Sequence, residues 1–142
     1  MKRLEMPQAV CVVVRNTKNQ VAMVRIKPGK FGAGDNAWKI PGGKVDRTDL
    51  TVEEAARREL REETGLVVGL GTLHIFAVDP DPAGFLCYVV VCTTFFHPGE
   101  LLRPGEGEPI AAWRPWQEVL DPEVNPFGAH LASLGLREVF ES

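Results

Sequence analysis

The sequence predicts an α+β fold, in which a mostly β-structured domain carries one helix in the middle of the chain and one at its C-terminus. Two observations lead to this fold class. Short runs rich in β-branched residues recur along the chain, the longest at residues 85–96, and residues 52–64 have the spacing of an amphipathic helix. The 142 residues contain no repeat and no linker, so we expect a single domain over residues 1–142.

The first predicted elements are the two strands of a hairpin. Residues 9–14 are rich in valine, and after a polar turn an alternating pattern resumes over residues 20–27. Residues 28–36, "PGKFGAGDN", hold three glycines and one proline, which is typical of a loop. A brief extended segment at residues 37–40 then leads into a turn at Pro41-Gly42-Gly43.

The second half of the chain continues with β-structure and ends in a helix. Residues 67–78 are predicted to be extended, and residues 79–84 contain two prolines that a central strand would not tolerate. The run at residues 85–96 includes three consecutive valines, which indicates an interior strand covered on both faces. The remaining predicted elements are a short strand at residues 110–113, a helical turn at residues 117–120 and a closing helix that follows Asn125-Pro126 and ends near Glu141.

The helix at residues 52–64 has predictable ends. Thr51 followed three residues later by Glu54 is a capping box, so the helix is predicted to begin at Val52. Gly65 is the expected left-handed residue after the last turn. The apolar residues recur at helical spacing and predict a buried stripe of Val52, Ala55, Ala56 and Leu60.

Three carboxylates gather near the end of this helix. Glu59, Glu62 and Glu63 are spaced so that they share one side of the helix. With Arg58 they could form a solvated, ion-paired face, in which each pair contributes only about 0.3–0.5 kcal/mol. They could instead bind a cation, which would offset the crowding of negative charge at a helix C-terminus, where the helix dipole disfavours anions. Hard oxygen ligands of this kind suit Mg²⁺ or Mn²⁺.

The residues around these carboxylates resemble the signature of the Nudix hydrolase family. Residues 58–66, "RELREETGL", match the second half of that signature completely, and residues 38–45, "WKIPGGKV", are similar to the segment that precedes it. The order of the predicted strands also matches, so the resemblance covers nearly the whole chain. It implies a Nudix-type α/β/α sandwich with a mixed β-sheet, the signature helix in the middle and a C-terminal helix.

One part of the sequence departs from the family signature. Eight residues before Arg58, where the family has a glutamate, this sequence has Leu50. The interval from Gly43 to Arg58 is also one residue longer than in the signature. An insertion in the loop at residues 46–50 explains both differences. Asp49 is then the nearest substitute for the missing glutamate, and whether it takes that place stays open at this point.

The resemblance also implies roles for individual residues. The groups expected to bind Mg²⁺, or alternatively Mn²⁺, are the carbonyl of Gly42 and the carboxylates of Glu59, Glu62 and Glu63. Arg58 would hold these carboxylates in position through charge-assisted hydrogen bonds, so Arg58, Glu62 and Glu63 are all expected to serve catalysis. In many members a later loop supplies a general base. Glu106 and Glu108 are the candidates here, and a solvated acidic loop is the alternative.

A second group of residues is expected to contact the substrate, and its members are Arg25, Trp38, Gly43 and Lys44. Arg25 lies at the end of the second predicted strand, where it could meet a phosphate, although exposed charges at strand ends are common. A nucleobase needs an aromatic or apolar platform. Trp38 is a candidate for it beside Phe31, Phe85 and Trp113, and a place in the core or at the rim is the alternative for each.

The function implied by the resemblance is Mg²⁺-dependent hydrolysis of a diphosphate bond in a nucleoside diphosphate derivative. A nucleoside triphosphate, cleaved to the monophosphate and pyrophosphate, is favoured because the chain is short. ADP-ribose or a nucleotide sugar is the alternative, since Pro82 lies sixteen residues after the signature, where ADP-ribose-cleaving members often have proline. A catalytically weakened nucleotide-binding or regulatory domain is the third possibility; the altered loop favours it slightly and the intact carboxylates oppose it.

Charge and cysteine content limit the expected partners. A formal net charge of -3 argues against broad nucleic-acid binding, so we expect a small-molecule partner and a monomer or homodimer. Cys11, Cys87 and Cys92 lie in apolar runs without zinc-type spacing and are expected to be buried free thiols. Residues 1–7 lack the apolar core of a signal peptide and no later run is long enough to span a membrane, which predicts a cytoplasmic protein.

Overall fold

Seven strands and four helices build the described part of the chain. The computed structural model describes residues 6–142, so residues 1–5 of the N-terminal segment considered above lie outside the described residues. The strands are β1 (Gln8–Asn16), β2 (Gln20–Arg25), β3 (Trp38–Lys39), β4 (Gly42–Lys44), β5 (Leu73–Pro80), β6 (Leu86–Phe96) and β7 (Ala111–Pro115). The helices are α1 (Val52–Thr64), α2 (Gln117–Leu120), α3 (Gly128–Ser133) and α4 (Arg137–Glu141).

The strands form one mixed sheet with β1 near its centre. β1 pairs in parallel with β6 along its length, from Gln8 opposite Leu86 to Asn16 opposite Phe96. Its other edge pairs antiparallel with β4 near the start of β1 and with β2 near the end. β5 extends the sheet beyond β6, and β3 and β7 both pair with β2. β1 therefore connects the glycine-rich strand β4 to the rest of the sheet.

Helices cover both faces of this sheet. Alternate residues of β1 point to opposite faces, so Val12 packs in the core beneath α1 while Val13 packs in the core beneath α2, α3 and α4. Leu60 of α1 is fully buried in the first core, which stabilises the fold by roughly 1.5–3 kcal/mol relative to an exposed side chain. The second core receives Val119, Leu131 and Phe140 from the three short helices. The predicted α/β/α sandwich is confirmed.

The ends of α1 follow from its capping residues. Thr51 Oγ1 accepts a hydrogen bond from the Glu54 N–H at 3.1 Å, and the Glu54 carboxylate accepts one from the Leu50 N–H at 3.1 Å. Gly65 has φ of 77°, in the left-handed region that favours glycine, and its N–H donates to the Arg61 carbonyl. A side-chain cap of this type contributes about 0.5–2 kcal/mol. The predicted bounds of α1 are confirmed.

Four predicted elements differ from the structure. The extended segment predicted at residues 67–78 becomes a strand only at Leu73, because Leu70–Thr72 is a turn of 3-10 helix. Gly42–Lys44 is a strand rather than part of a turn, because it pairs with β1. The single closing helix is instead two short helices, since Gly135 adopts φ of 82° and interrupts it. β5 extends to Pro80, which is tolerated because β5 lies at the edge of the sheet. The hairpin of β1 and β2 and the interior position of β6 are confirmed.

Across residues 6–142, no helix combines the length and the apolar character needed to cross a membrane.

Candidate active site

The glycine pair of β4 brings the backbone close to both β1 and α1. A Cβ atom at Gly42 would overlap the Val10 carbonyl oxygen and lie 2.9 Å from Cys11 Cα. A Cβ atom at Gly43 would lie 2.6 Å from Glu59 Oε1. At Gly42 the close atoms belong to the β1 backbone, so only a residue without a side chain fits there. At Gly43 the close atoms belong to the Glu59 carboxylate, so a side chain there would displace that carboxylate from its present position.

Arg58 is the centre of a network of ion pairs on one side of α1. Its Nε and Nη2 donate to the two oxygens of Asp49 at 3.0 and 2.8 Å. Its Nη1 donates to Glu59 Oε1 at 3.0 Å and lies 3.4 Å from both oxygens of Glu62. Its Nη2 also donates to the Lys44 carbonyl at 3.2 Å. The guanidinium therefore holds three carboxylates and the end of β4 in fixed positions.

The bidentate pair between Arg58 and Asp49 bears on the departure from the signature. The hydrogen bonds from Arg58 lower the pKa of Asp49 and keep that carboxylate ionised. The Asp46 N–H donates to Asp49 Oδ2 at 2.8 Å, which closes the loop around the carboxylate. The Leu50 side chain is 85% exposed, so it contributes nothing to this network. The geometry therefore favours Asp49 as the substitute for the missing glutamate, and the extra residue is accommodated in the exposed part of the loop.

Glu63 is the most enclosed carboxylate of α1, with 9% of its surface exposed. Its Oε1 accepts a hydrogen bond from the Gly42 N–H at 2.7 Å. Lys39 Nζ lies 3.8 Å from its Oε2 and 3.4 Å from the Gly42 carbonyl oxygen. Burial raises the pKa of Glu63, against the lowering effects of Lys39 and the Gly42 N–H. Burial is also the main cause of a raised pKa at Glu59, where Arg58 opposes it.

The donor set fits a divalent cation chemically. Carboxylate and carbonyl oxygens are the ligands that Mg²⁺ and Mn²⁺ prefer, and burial of two of these carboxylates is a cost that a cation would reduce. Ion pairs join Arg58 to Asp49, Glu59 and Glu62 and join Lys39 to Glu63, so carboxylates outnumber cations in this network.

The ligands are nevertheless not assembled in advance. Within residues 6–142, no three His, Cys, Asp or Glu side chains converge as a ready-made metal site. The reason is visible in the ion pairs: Arg58 holds Glu59 and Glu62, while Glu63 faces Gly42 and Lys39. Binding of a metal ion would therefore require these cationic side chains to give up part of their contacts.

The loop that carries the predicted general base packs on the end of α1. The Arg103 N–H donates to the Thr64 carbonyl at 2.6 Å, and the Gly105 N–H donates to the Glu62 carbonyl at 2.8 Å. Burial is the largest cause of the raised pKa of Glu63, and the negative charge of Glu108 adds to it. The fold therefore brings Glu108 within electrostatic range of the signature carboxylates, although the two are separated by a long stretch of sequence.

A cavity of about 480 Å³ opens beside Glu63 and Gly42, which both form part of its wall. Its polar lining includes three lysines, and its apolar lining includes three phenylalanines: Lys30, Lys39, Lys44, Phe31, Phe85 and Phe127. The rings of Phe31 and Phe127 meet edge to face, with centroids 5.1 Å apart. The combination of aromatic surface and cationic side chains next to carboxylates suits a small ligand with an aromatic part and an anionic part.

Phe31 has an unusual backbone conformation within this cavity wall. Its φ of 56° lies in the left-handed region, which is uncommon for a bulky residue, and Gly29 and Gly32 beside it also have positive φ. The glycines of the loop at residues 28–36 thus allow the chain to turn so that the Phe31 ring reaches Phe127. Sequence reasoning identified Phe31 and Phe85 as possible platforms but not Phe127 or Lys39.

Of the four residues predicted to bind substrate, two line the cavity and two do not. Gly43 and Lys44 line the cavity, and their contact with substrate stays a prediction. Trp38 does not line the cavity, because its side chain is 5% exposed in the core beneath α2–α4 and the Arg114 guanidinium covers its ring at 4.6 Å, so the prediction of a Trp38 platform is wrong. Arg25 lies outside the cavity lining, and its Nη2 donates to the Asp35 carbonyl at 2.5 Å.

The cysteines also divide into two groups. Cys92 is buried in the core beneath α1, as predicted. Cys11 and Cys87 are only partly buried, and both line the cavity with their sulfur atoms 3.9 Å apart. The hydrogen bond between the two thiols raises the pKa of Cys11 and lowers that of Cys87. The expectation of three buried core thiols is therefore wrong for this pair, since neighbouring strands β1 and β6 place them at the cavity wall.

Parts of this sequence are similar to parts of proteins that are named as hydrolases. The sequence is 52% identical over 52 residues to the oxidized purine nucleoside triphosphate hydrolase of Danio rerio, a match that covers 37% of this chain and 30% of that protein. The matches to the curated relatives span between about a quarter and a third of those proteins' lengths.

Two solved structures share the fold over most of the chain. The NUDIX domain of Shewanella oneidensis NrtR, complexed with ADP ribose, has a TM-score of 0.68 at 19% identity and covers 96% of this chain and 90% of that one. A bifunctional NMN adenylyltransferase/ADP ribose pyrophosphatase of Francisella tularensis, complexed with AMP and a Mn ion, has a TM-score of 0.68 at 18% identity and covers 97% of this chain and 43% of that one. The sequence matches the NUDIX domain over residues 5–134. This chain, with its Arg58 network and its glycine-paired strand β4, belongs to the NUDIX domain family.

Proposed function

We propose that this protein uses a divalent metal ion to hydrolyse a diphosphate bond in a nucleotide derivative, with a nucleoside triphosphate as the preferred substrate and the monophosphate and pyrophosphate as products. The observation that carries the proposal is the position of Glu63 and Gly42. Both belong to the donor set on α1 and β4, and both line the cavity with its aromatic and cationic side chains. A ligand in the cavity would thus have its reacting end at the carboxylates.

The proposed mechanism divides the work among the residues of the two regions. Glu59, Glu62, Glu63 and the Gly42 carbonyl would hold the metal, and Arg58 would keep the carboxylates oriented. Mg²⁺ or Mn²⁺, when bound, offsets the charge of a diphosphate that would otherwise repel an incoming nucleophile. Glu108 is the proposed acceptor of the proton from the attacking water. 

The cavity supports the nucleotide part of the proposal. Lys44 lines the cavity and is proposed to contact phosphate oxygens, and the edge-to-face pair of Phe31 and Phe127 offers an aromatic surface for a base. The relative from Danio rerio is named for hydrolysis of oxidized purine nucleoside triphosphates, which supports a triphosphate and a purine as the first substrates to test. The substrate of this chain is a proposal in each of these respects.

ADP-ribose or a nucleotide sugar is the second candidate. The turn that contains Pro82 borders the cavity through its neighbours Asp81 and Ala83, so this turn is proposed to lie near the substrate. The structural relatives bound to ADP ribose and to AMP also support this candidate. A domain that binds nucleotide without turnover is the third, and the complete set of Glu59, Glu62 and Glu63 argues against it.

A substrate panel with product analysis tests the proposal. Nucleoside triphosphates, including oxidized purines, are compared with ADP-ribose and nucleotide sugars in the presence of Mg²⁺, and products are separated by ion-exchange chromatography. We expect monophosphate and pyrophosphate from a triphosphate. Faster cleavage of ADP-ribose to two monophosphates would favour the second candidate. Nucleotide binding without turnover of any compound would contradict the proposal and favour the regulatory one.

A further inference from the structure

Lys39 occupies an unusual place between the signature carboxylates and the cavity. Its Nζ lies 3.4 Å from the Gly42 carbonyl oxygen and 3.8 Å from Glu63 Oε2. These are two of the groups that the proposed function assigns to the metal. The Lys39 side chain is 18% exposed and also lines the cavity. One ammonium group therefore faces the donor set on one side and the space for substrate on the other.

The other lysines of the cavity are placed differently. Lys44 Nζ lies over the Phe85 ring at 5.5 Å from its centroid, and Lys30 Nζ lies over the Phe31 ring at 5.2 Å. Both ammonium groups are associated with aromatic walls. Lys39 is distinguished from them by its contacts with Glu63 and Gly42, and this difference provides a matched comparison within one cavity.

The two cations of the donor set are also held with different strength. Arg58 makes a bidentate pair with Asp49 at 2.8 and 3.0 Å, within the usual range for charge-assisted hydrogen bonds. The Lys39 contacts of 3.4 and 3.8 Å are longer than that range. A lysine ammonium also sits on a flexible stem of four carbons, whereas a guanidinium is a rigid fork. Lys39 is therefore the cation that can leave the carboxylates at small cost.

We propose that Lys39 is an exchangeable counter-charge, which holds Glu63 and the Gly42 carbonyl in the metal-free protein, yields them to a divalent cation, and then turns to the phosphates of the substrate. This inference rests on the proposed function for the identity of the metal and of the substrate. Electrostatics favours the exchange at Lys39, because a divalent ion and an ammonium on one carboxylate repel each other and the long Lys39 contacts offer little to oppose that repulsion. The adjacent anionic substrate then offers the displaced ammonium a new partner in the same cavity.

The exchange has a signature that a merely structural lysine would not produce. Removal of the ammonium eliminates a competitor for Glu63, so the substrate-free protein should bind metal more tightly. The same removal deletes a partner of the phosphates, so nucleotide should bind more weakly once the metal is saturating. The two affinities thus change in opposite directions, whereas general damage to the site would weaken both.

The test measures both affinities in Lys39→Gln and in the matched control Lys44→Gln. Mn²⁺ binding to the substrate-free protein is measured by electron paramagnetic resonance, and binding of a non-hydrolysable nucleoside triphosphate analogue is measured by calorimetry at saturating Mg²⁺. We expect the Mn²⁺ dissociation constant of Lys39→Gln to fall about fivefold or more, the lower end of usual coupling effects, and that of the analogue to rise by a similar factor. Lys44→Gln should weaken the analogue only and leave Mn²⁺ binding unchanged.

Two further variants keep the test decisive. Lys39→Met retains most of the apolar stem and answers the question if Lys39→Gln fails to fold, while Lys39→Arg retains the charge and should keep the Mn²⁺ affinity of the wild type. Unchanged or weaker Mn²⁺ binding in a folded Lys39→Gln or Lys39→Met protein would overturn the inference alone. Absence of Mn²⁺ binding to the wild type would overturn the inference together with the metal site of the proposed function.

Discussion

The site has two walls that are built in different ways. The helix wall comes from one continuous stretch, residues 42–65, and is held by charge-assisted hydrogen bonds around Arg58. The cavity wall, meaning here the part of the lining outside that stretch and its immediate neighbours, comes from separated segments near residues 9–11, 30–31, 81–87 and 125–131. Its contacts are mostly apolar and aromatic. Under the proposed function, the continuous stretch would hold the metal and the reacting phosphates, and the separated segments would contact the rest of the substrate.

The largest effect is expected from a change in the helix wall at Glu63. Glu63→Gln removes a proposed metal ligand, and loss of groups that merely support a ligand already costs roughly 10- to 100-fold. We therefore expect pyrophosphate release with Mg²⁺ to fall more than about 100-fold, while the thermal unfolding midpoint stays close to that of the wild type. The matched control is Glu53→Gln in the first turn of the same helix. Unchanged turnover in Glu63→Gln would remove Glu63 from the mechanism.

A smaller loss is expected when the helix wall is disturbed through Asp49. Asp49→Asn breaks the bidentate pair with Arg58 but leaves the signature glutamates, so turnover should fall about 10- to 100-fold. The control is Asp46→Asn in the exposed part of the same loop. Activity equal to that of the wild type would show that Arg58 is positioned without Asp49.

The difference in stability between the wild type and Asp49→Asn should also depend on pH. Arg58 lowers the pKa of Asp49 in the folded protein, so the ionised carboxylate stabilises the fold. This stabilisation is fully present at pH values above the pKa of an aspartate in the unfolded protein, about 3.9. It is lost as the pH falls through the lower pKa that Asp49 has in the folded protein. Urea unfolding should therefore show the wild type more stable than Asp49→Asn at pH 7, with a smaller difference below about pH 4. An equal difference at both pH values would contradict this account.

A change in the cavity wall should act on substrate affinity rather than on chemistry. Phe31→Ala removes one ring of the aromatic pair, and base stacking on an aromatic residue contributes about 1–3 kcal/mol. Because Phe127 remains, we expect the KM for a nucleoside triphosphate to rise about fivefold, near the lower end of that range, with kcat little changed. Phe95→Ala is a matched control, since Phe95 is 47% exposed and Phe31 is 46% exposed. A loss confined to kcat would contradict the assignment of Phe31 to this wall.

The smallest effect is expected at the extra residue of the loop. Leu50 is 85% exposed, and although its N–H donates to Glu54, its side chain takes no part in the Arg58 network. Leu50→Ser keeps that N–H, so stability should change by no more than about 0.5 kcal/mol and turnover should be unaffected. A clear loss of activity, measured beside Asp49→Asn, would show that the loop depends on Leu50 as well as on Asp49.

The helix wall could be predicted from the sequence because its contacts are local. The Thr51–Glu54 cap, the Gly65 stop and the spacing of Glu59 and Glu63 all depend on residues a few positions apart. The departure at residues 46–50 could also be located from the sequence, where Asp49 is the carboxylate nearest to the missing glutamate. The structure adds the bidentate geometry of the pair with Arg58.

The cavity wall could not be predicted in the same way. Phe31 and Phe127 meet only because two loops far apart in sequence fold over the same face. No periodicity in the sequence predicts such a contact. The assignment of Trp38 to the substrate illustrates a different error. Trp38 is buried in the core beneath α2–α4, whereas the next two residues, Lys39 and Ile40, both line the cavity. Strand alternation alone therefore does not tell which side chains of this segment reach the cavity.

The paired thiols of Cys11 and Cys87 allow the cavity to be labelled chemically. Cys11 and Cys87 both line the cavity, while Cys92 is enclosed in the opposite core. A small alkylating reagent should therefore modify the cavity pair and spare Cys92, and a bound nucleotide should slow the modification. Intact mass spectrometry would then report occupancy for any candidate ligand, whether or not that ligand is turned over.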